Sequence, residues 1–175
     1  MDAPVNANII VLCFPVNPAG SGMEVKNNIF YNLGANSNAA AIRVDDSIGF
    51  DSNTYSFANN IYYHPTGMNI SFRGTIYTPA QFITAHDSTG SASAPTFVSY
   101  SEYASGNDFR LAAGDTVARS HGAELSSLCS AIAQLCFDKN GVSRPQGSAW
   151  DIGAYEYVPA GDTTPPSAPS GLMVN

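Results

Sequence analysis

The stretch Met23-Glu-Val-Lys-Asn-Asn-Ile-Phe-Tyr-Asn32 returns 32 residues later as Tyr55-Ser-Phe-Ala-Asn-Asn-Ile-Tyr-Tyr-His64. Both copies read apolar-x-apolar-x-Asn-Asn-Ile-aromatic-Tyr. An offset of this size is the sequence signature of a repeat array. Asparagine is a poor residue inside an ordinary strand. At a tight corner it tolerates a left-handed backbone. At the corners of neighbouring turns of chain its amide can also hydrogen-bond to the amide above or below. The repeat therefore predicts parallel stacking of equivalent strands rather than a sandwich. Further strand signals flank it: Asn8–Phe14, Ala40–Val44 and Asn69–Tyr77, each short, β-branched or aromatic, and bounded by Gly, Pro, Asn or Asp.

The whole chain agrees with this reading. It has 175 residues, enough for one ordinary domain. Only 12% of residues are charged and the net charge is −7, with two lysines in all. That excludes the basic footprint of a nucleic-acid binder. With 44% apolar residues the chain is not a disordered polyampholyte. It has no apolar run long enough to span a membrane. Cys13 lies in the apolar run Ile9–Phe14 and reads as a buried thiol. Cys129 and Cys136 leave two alternatives open. Leu125, Leu128, Cys129, Ile132, Leu135 and Cys136 recur at helical spacing, which predicts a short amphipathic helix over Glu124–Leu135. A Cys129–Cys136 disulfide is its rival, because seven helical residues advance about 10 Å and a disulfide tolerates about 7 Å between Cα atoms.

The last third contains Asn107-Asp-Phe-Arg-Leu111, Asp138-Lys-Asn-Gly-Val-Ser-Arg-Pro145 and Asp151-Ile-Gly-Ala-Tyr-Glu156, in that order. This series resembles the closing signature of bacterial parallel β-helix proteins of the pectate-lyase-like superfamily. The resemblance covers roughly residues 20–157 and departs at Asp115-Thr-Val-Ala-Arg119, where an arginine stands in place of the family's usual acid. It implies an all-β fold: a right-handed parallel β-helix (solenoid) fragment, residues 1–158, with a C-terminal cap and one short α-helix. Asp108, Arg110, Asp138, Arg144, Asp151 and Glu156 are the expected structural residues of that cap, with Phe109 and Leu111 pointing into the core. Residues 159–175 read as a Pro-rich linker and the truncated start of a further module. Within them, Asp162–Val174 resembles the linker and opening strand of fibronectin type III modules.

The resemblance implies a secreted, extracellular or cell-surface protein acting on a polysaccharide or glycan, a monomer within a larger multidomain chain. Two functions follow as expectations: a polysaccharide lyase or glycoside hydrolase, or a non-catalytic adhesin-type scaffold that binds glycans. A lyase needs a base and a cation facing the uronate carboxylate. His64, Arg43 and Arg73 are the catalytic candidates, with Lys26 as a further cation. Asp45, Asp46 and Asp51 could supply oxygens to Ca2+. Tyr62, Tyr63 and Tyr77 are the candidate sugar contacts, since a phenol offers a ring face and a hydroxyl. His86 and His121 read as structural or solvated histidines.

Overall fold

The computed structural model describes residues 10–12, 23–31, 40–44, 55–102 and 104–159. The strands are β1 (Ile10–Leu12), β2 (Met23–Lys26), β3 (Ile29–Tyr31), β4 (Ala40–Val44), β5 (Tyr55–Ala58), β6 (Ile61–Tyr63), β7 (Asn69–Phe72), β8 (Thr75–Tyr77), β9 (Phe97–Ser99) and β10 (Asp108–Leu111). One α-helix, α1 (Pro79–His86), lies between β8 and β9.

The two Asn-Asn copies pair in parallel and in register. Met23 lies opposite Tyr55 and Lys26 opposite Ala58, and Ile29 lies opposite Ile61 and Tyr31 opposite Tyr63. β1, β4 and β7 also pair in parallel. The expected solenoid is nevertheless corrected. The described strands form one four-stranded sheet, β1-β4-β7-β8, and three two-stranded sheets, and they do not close into a β-helix. The winding stops after β7. Arg73 and Gly74 both take positive φ, 53° and 75°, the geometry of a tight hairpin turn. β8 therefore returns antiparallel on β7. α1 follows, started by a Thr78–Gln81 capping box with Pro79 in its first turn. β9 and β10 are antiparallel as well.

The expected helix at Glu124–Leu135 is corrected too. Two 3-10 turns, Ser126–Leu128 and Ala133–Cys136, occupy that segment, and Cys129 is disulfide-bonded to Cys136 with Cα atoms 5.7 Å apart. The cross-link holds the cysteines at about half their separation in a straight helix.

Each Asn-Asn pair divides its labour. The first residue makes the corner, with Asn27 at φ 58° and Asn59 at φ 55°. The second faces inward. The Asn28 amide donates to Asn60 Oδ1 at 3.0 Å, and so does the Asn28 backbone N–H. The Asn60 amide donates in turn to Val25 O at 2.7 Å and to Asp87 Oδ2 at 2.8 Å. Asp87 is fully buried and also accepts from Asn60 N–H at 3.2 Å and from the Tyr62 hydroxyl at 3.0 Å. Gly90 must be glycine for this to close, because a Cβ there would sit 2.9 Å from Asp87 Cγ.

Two apolar cores lie on either side of β6. Tyr62 stacks on Phe30 at 5.3 Å in the core that holds Ile42, Met68, Ile70, Phe72 and Phe82. Ile61 enters the other core, with Leu111, Ala118 and Ile152. The outer asparagines carry the C-terminal chain. Asn27 exchanges two side-chain bonds with the Ala123 backbone, at 3.0 and 2.6 Å, and Asn59 donates to His121 O at 2.8 Å.

Replacing Asn60 by Leu removes one of the donors to buried Asp87 and leaves Val25 O and Asn28 N–H without their side-chain partner, and is expected to cost about 1–3 kcal/mol. Asn28→Leu, which removes fewer bonds from a half-buried site, is expected to cost less. Urea denaturation of both variants checks the order, and two unchanged midpoints would refute the ladder.

Candidate functional site

An open groove of about 550 Å³ gathers several aromatic side chains. Its floor is Asn27–Tyr31, its walls are Phe97 and Phe109, and Gly153, Ala154 and Tyr155 complete it. The Tyr31 ring is the hub. It lies 5.2 Å from Tyr63, 5.2 Å from Phe97 and 4.9 Å from Tyr100. Phe109 adds edge contacts to Phe97 at 5.5 Å and to Tyr100 at 5.9 Å.

Local backbone geometry builds this wall. Between Asp108↔Ser99 and Leu111↔Phe97 the two strands advance by unequal steps, so β10 carries one extra residue. A bulge of this kind breaks the alternation of faces. Phe109 therefore turns outward, 47% exposed, while Leu111 stays buried, which corrects the expectation that both enter the core. Gly153, at φ 108°, sits so close to Ile29 that a Cβ would meet its Cδ1 at 2.7 Å. Only glycine lets the C-terminal chain close on the groove floor here. Burial first, and then the neighbouring phenols Tyr63 and Tyr100, push the Tyr31 hydroxyl up from its ordinary pKa. It stays a neutral donor. Lys139 Nζ donates to the Tyr155 hydroxyl at 3.1 Å beside the groove.

The sequence candidates fall in several places. Tyr63 belongs to the aromatic cluster. Tyr62 does not reach solvent: it is 1% exposed, and burial together with the Asp87 carboxylate pushes its phenol far up. Tyr77 packs edge-on against Phe82 at 5.9 Å and His86 at 5.1 Å. His64 Nδ1 bonds within its own turn, to Thr66 N at 3.1 Å and Thr66 Oγ1 at 3.0 Å. Arg73 forms the β7–β8 turn, its guanidinium 5.5 Å from the Phe72 ring centre. His86 lies among Phe72, Tyr77 and Phe82, and burial, with Arg73 nearby, lowers its pKa. His121 is exposed. Lys26 pairs with Glu24 at 2.8 Å. Arg43 is placed by its backbone, between Val11 and Ser71. Its side chain lies outside the described residues, as do Asp45, Asp46, Asp51, Cys13 and the stretch 160–175. Among the described residues no group of three or more His, Cys, Asp or Glu could hold a metal ion.

The C-terminal carboxylates face the backbone. Asp138 accepts from Asn140, Val142 and Glu156 N–H. Asp151 accepts from Ser120 N–H at 2.7 Å and Tyr157 N–H at 2.6 Å. Glu156 accepts from Gln146 N–H at 2.9 Å and lies 3.6 Å from the buried Arg144 guanidinium. Arg144 also donates to the Asp151 and Gly153 carbonyls. Asp115, which the sequence did not single out, accepts from Thr96, Val117, Ala118 and Arg119 N–H. Asp108 and Arg110 form a more exposed pair, whose guanidinium holds the Asp108 carboxyl down at about 2. The unexpected Arg119 stacks on the Tyr157 ring at 3.6 Å and donates to Ala113 O.

No helix among the described residues is long and apolar enough to cross a membrane. Compared with protein-family models, with curated proteins and with solved structures, the chain matches none of them.

Burial raises the pKa of Asp138, but its three backbone donors, with the Arg144 charge nearby, outweigh that and hold it below the ordinary carboxyl range. A carboxyl depressed in the folded state stabilises above its ordinary pKa and loses that contribution as pH falls through the depressed value. Asp138→Asn turns an NH2 onto backbone donors and is expected to lose about 1–3 kcal/mol near neutrality. That deficit is expected to shrink below pH ~4. Glu156 behaves oppositely, because burial raises its pKa. Denaturation of wild type and Asp138→Asn from pH 7 to 3 reads the convergence.

Proposed function

We propose that this chain is a glycan-binding part of a secreted or cell-surface carbohydrate-active protein, and that the groove between Tyr31, Phe97, Phe109 and Tyr155 holds the sugar. The observation that carries the reading is the aromatic lining of an open groove whose floor and rim bear polar tips. Sugar rings present apolar C–H faces and peripheral hydroxyls, and such a surface serves both. The exposed Phe109 ring offers a stacking face. The hydroxyls of Tyr31 and Tyr155 lie within the same lining. The Cys129–Cys136 disulfide supports an oxidising compartment. The resemblance of the closing motifs to the pectate-lyase-like superfamily supports the carbohydrate class, as analogy alone. Binding is preferred over bond cleavage because the buried carboxylates Asp87, Asp115, Asp138, Asp151 and Glu156 are committed to amide and hydroxyl donors of the fold.

The test is calorimetric titration of the chain with soluble neutral and acidic polysaccharides, repeated with Phe109→Ala and Tyr155→Ala. A saturable ligand is expected, with roughly tenfold weaker binding in Phe109→Ala, the equivalent of about 1.4 kcal/mol of ring contact. No binding across the panel, or equal affinity in wild type and both variants, would sink the assignment.

A further inference from the structure

Residues 125–136 carry an α-helical sequence in a shape that is not one α-helix. Leu125, Leu128, Ile132 and Leu135 fall on a single helical stripe, and neither Gly nor Pro interrupts 123–140. The backbone follows that instruction up to Ile132. Leu128 N–H bonds to Leu125 O, Cys129 N–H to Ser126 O, and Ile132 N–H to Leu128 O at 2.9 Å, the last an α-type bond. Cys129 itself has right-handed helical dihedrals, φ −64° and ψ −27°. The break comes at Ile132, with φ −133° and ψ 82°. A second helical turn, Ala133–Cys136, starts directly after it. This one kink folds the second turn back on the first and brings the Cys136 Cα within 5.7 Å of the Cys129 Cα. Its side effect is exposure: Leu128 is 40% and Ile132 51% accessible, whereas Leu125 and Leu135 are half-buried.

We infer that this segment is a redox-operated hinge at Ile132. While the disulfide stands, a continuous helix is forbidden, since it would part the two Cα atoms by about 10 Å. When an external dithiol reduces the bond, the two cysteine sulfurs take up two electrons and two protons and become thiols, and the dithiol becomes a disulfide. Ile132 then moves to helical dihedrals. The two turns fuse into one amphipathic helix, with Leu128 and Ile132 aligned on the stripe whose ends are already half-buried. A helix of about twelve residues is marginal alone, so the stripe's contact with the body is part of the device.

Far-UV circular dichroism and amide hydrogen exchange test it, on the oxidised chain, the phosphine-reduced chain and the Cys129→Ser/Cys136→Ser double variant. Reduction and the double variant are both expected to deepen the 222 nm signal by an amount equal to or above that of the eight-residue α1. Slower exchange at residues 129–136 accompanies it, while the emission of the buried Trp150 stays unshifted. Ile132→Gly is expected to reduce the gain in the reduced chain. A flat or weaker 222 nm signal, faster exchange across 129–136, or a red-shifted Trp150 showing that the body does not survive reduction, would each overturn the hinge.

Discussion

The fold turns on one buried carboxylate. Asp87 has no solvent contact, and its Oδ2 collects Asn60 N–H, the Asn60 amide and the Tyr62 hydroxyl. Away from water, polar groups are tolerable only when they satisfy one another. Asp87 meets that demand by ending the run of amides that begins at Asn28. Because Asn60 is held on both sides, its carbonyl is aimed at Ser91 N–H and Ser91 O at Tyr62 N–H, both 2.9 Å. Tyr62, anchored through its hydroxyl, presents one ring face to Phe30 and an edge contact to Phe82. The larger apolar core thus grows around a polar spine.

The C-terminal third repeats the principle without strands. Asp115, Asp138, Asp151 and Glu156 are buried, and each gathers backbone N–H groups that a sheet would have satisfied. Much of the chain's sparse acidity is spent inside, as scaffolding for irregular backbone. The groove benefits, because Gly153, Ala154 and Tyr155 lie between two such anchored residues, Asp151 and Glu156.

The parallel pairing of the Asn-Asn copies was readable in the sequence because a period and a corner chemistry coincide there. Asp87 was not, since Asp87-Ser-Thr-Gly90 looks like any solvated turn and only its tertiary position buries it. The wider architecture departed at Arg73-Gly74, where two positive φ angles end the parallel winding. The phenol that makes Tyr62 a candidate sugar contact in the sequence says nothing of its burial, which is set by tertiary packing. β6 buries both Ile61 and Tyr62, in different cores. Phe109 was assigned inward by alternation, and the bulge in β10 reversed it. The disulfide and the helix at 124–135 were both legible as rivals, and chain geometry allowed only one.

Asn27 reaches Ala123 across 96 residues of chain and Asn59 reaches His121 across 62. Closing so long a loop costs only about 1 kcal/mol more than closing one of 32 residues, so the penalty falls on speed and not on equilibrium. Pairings this distant slow folding and leave unpaired edges waiting. During synthesis the side-chain amides of Asn27 and Asn59 wait for the Ala123 and His121 carbonyls until residue 123 has left the ribosome. The Asn-Asn turns are therefore the earliest recognisable feature of the chain and among the last to be completed.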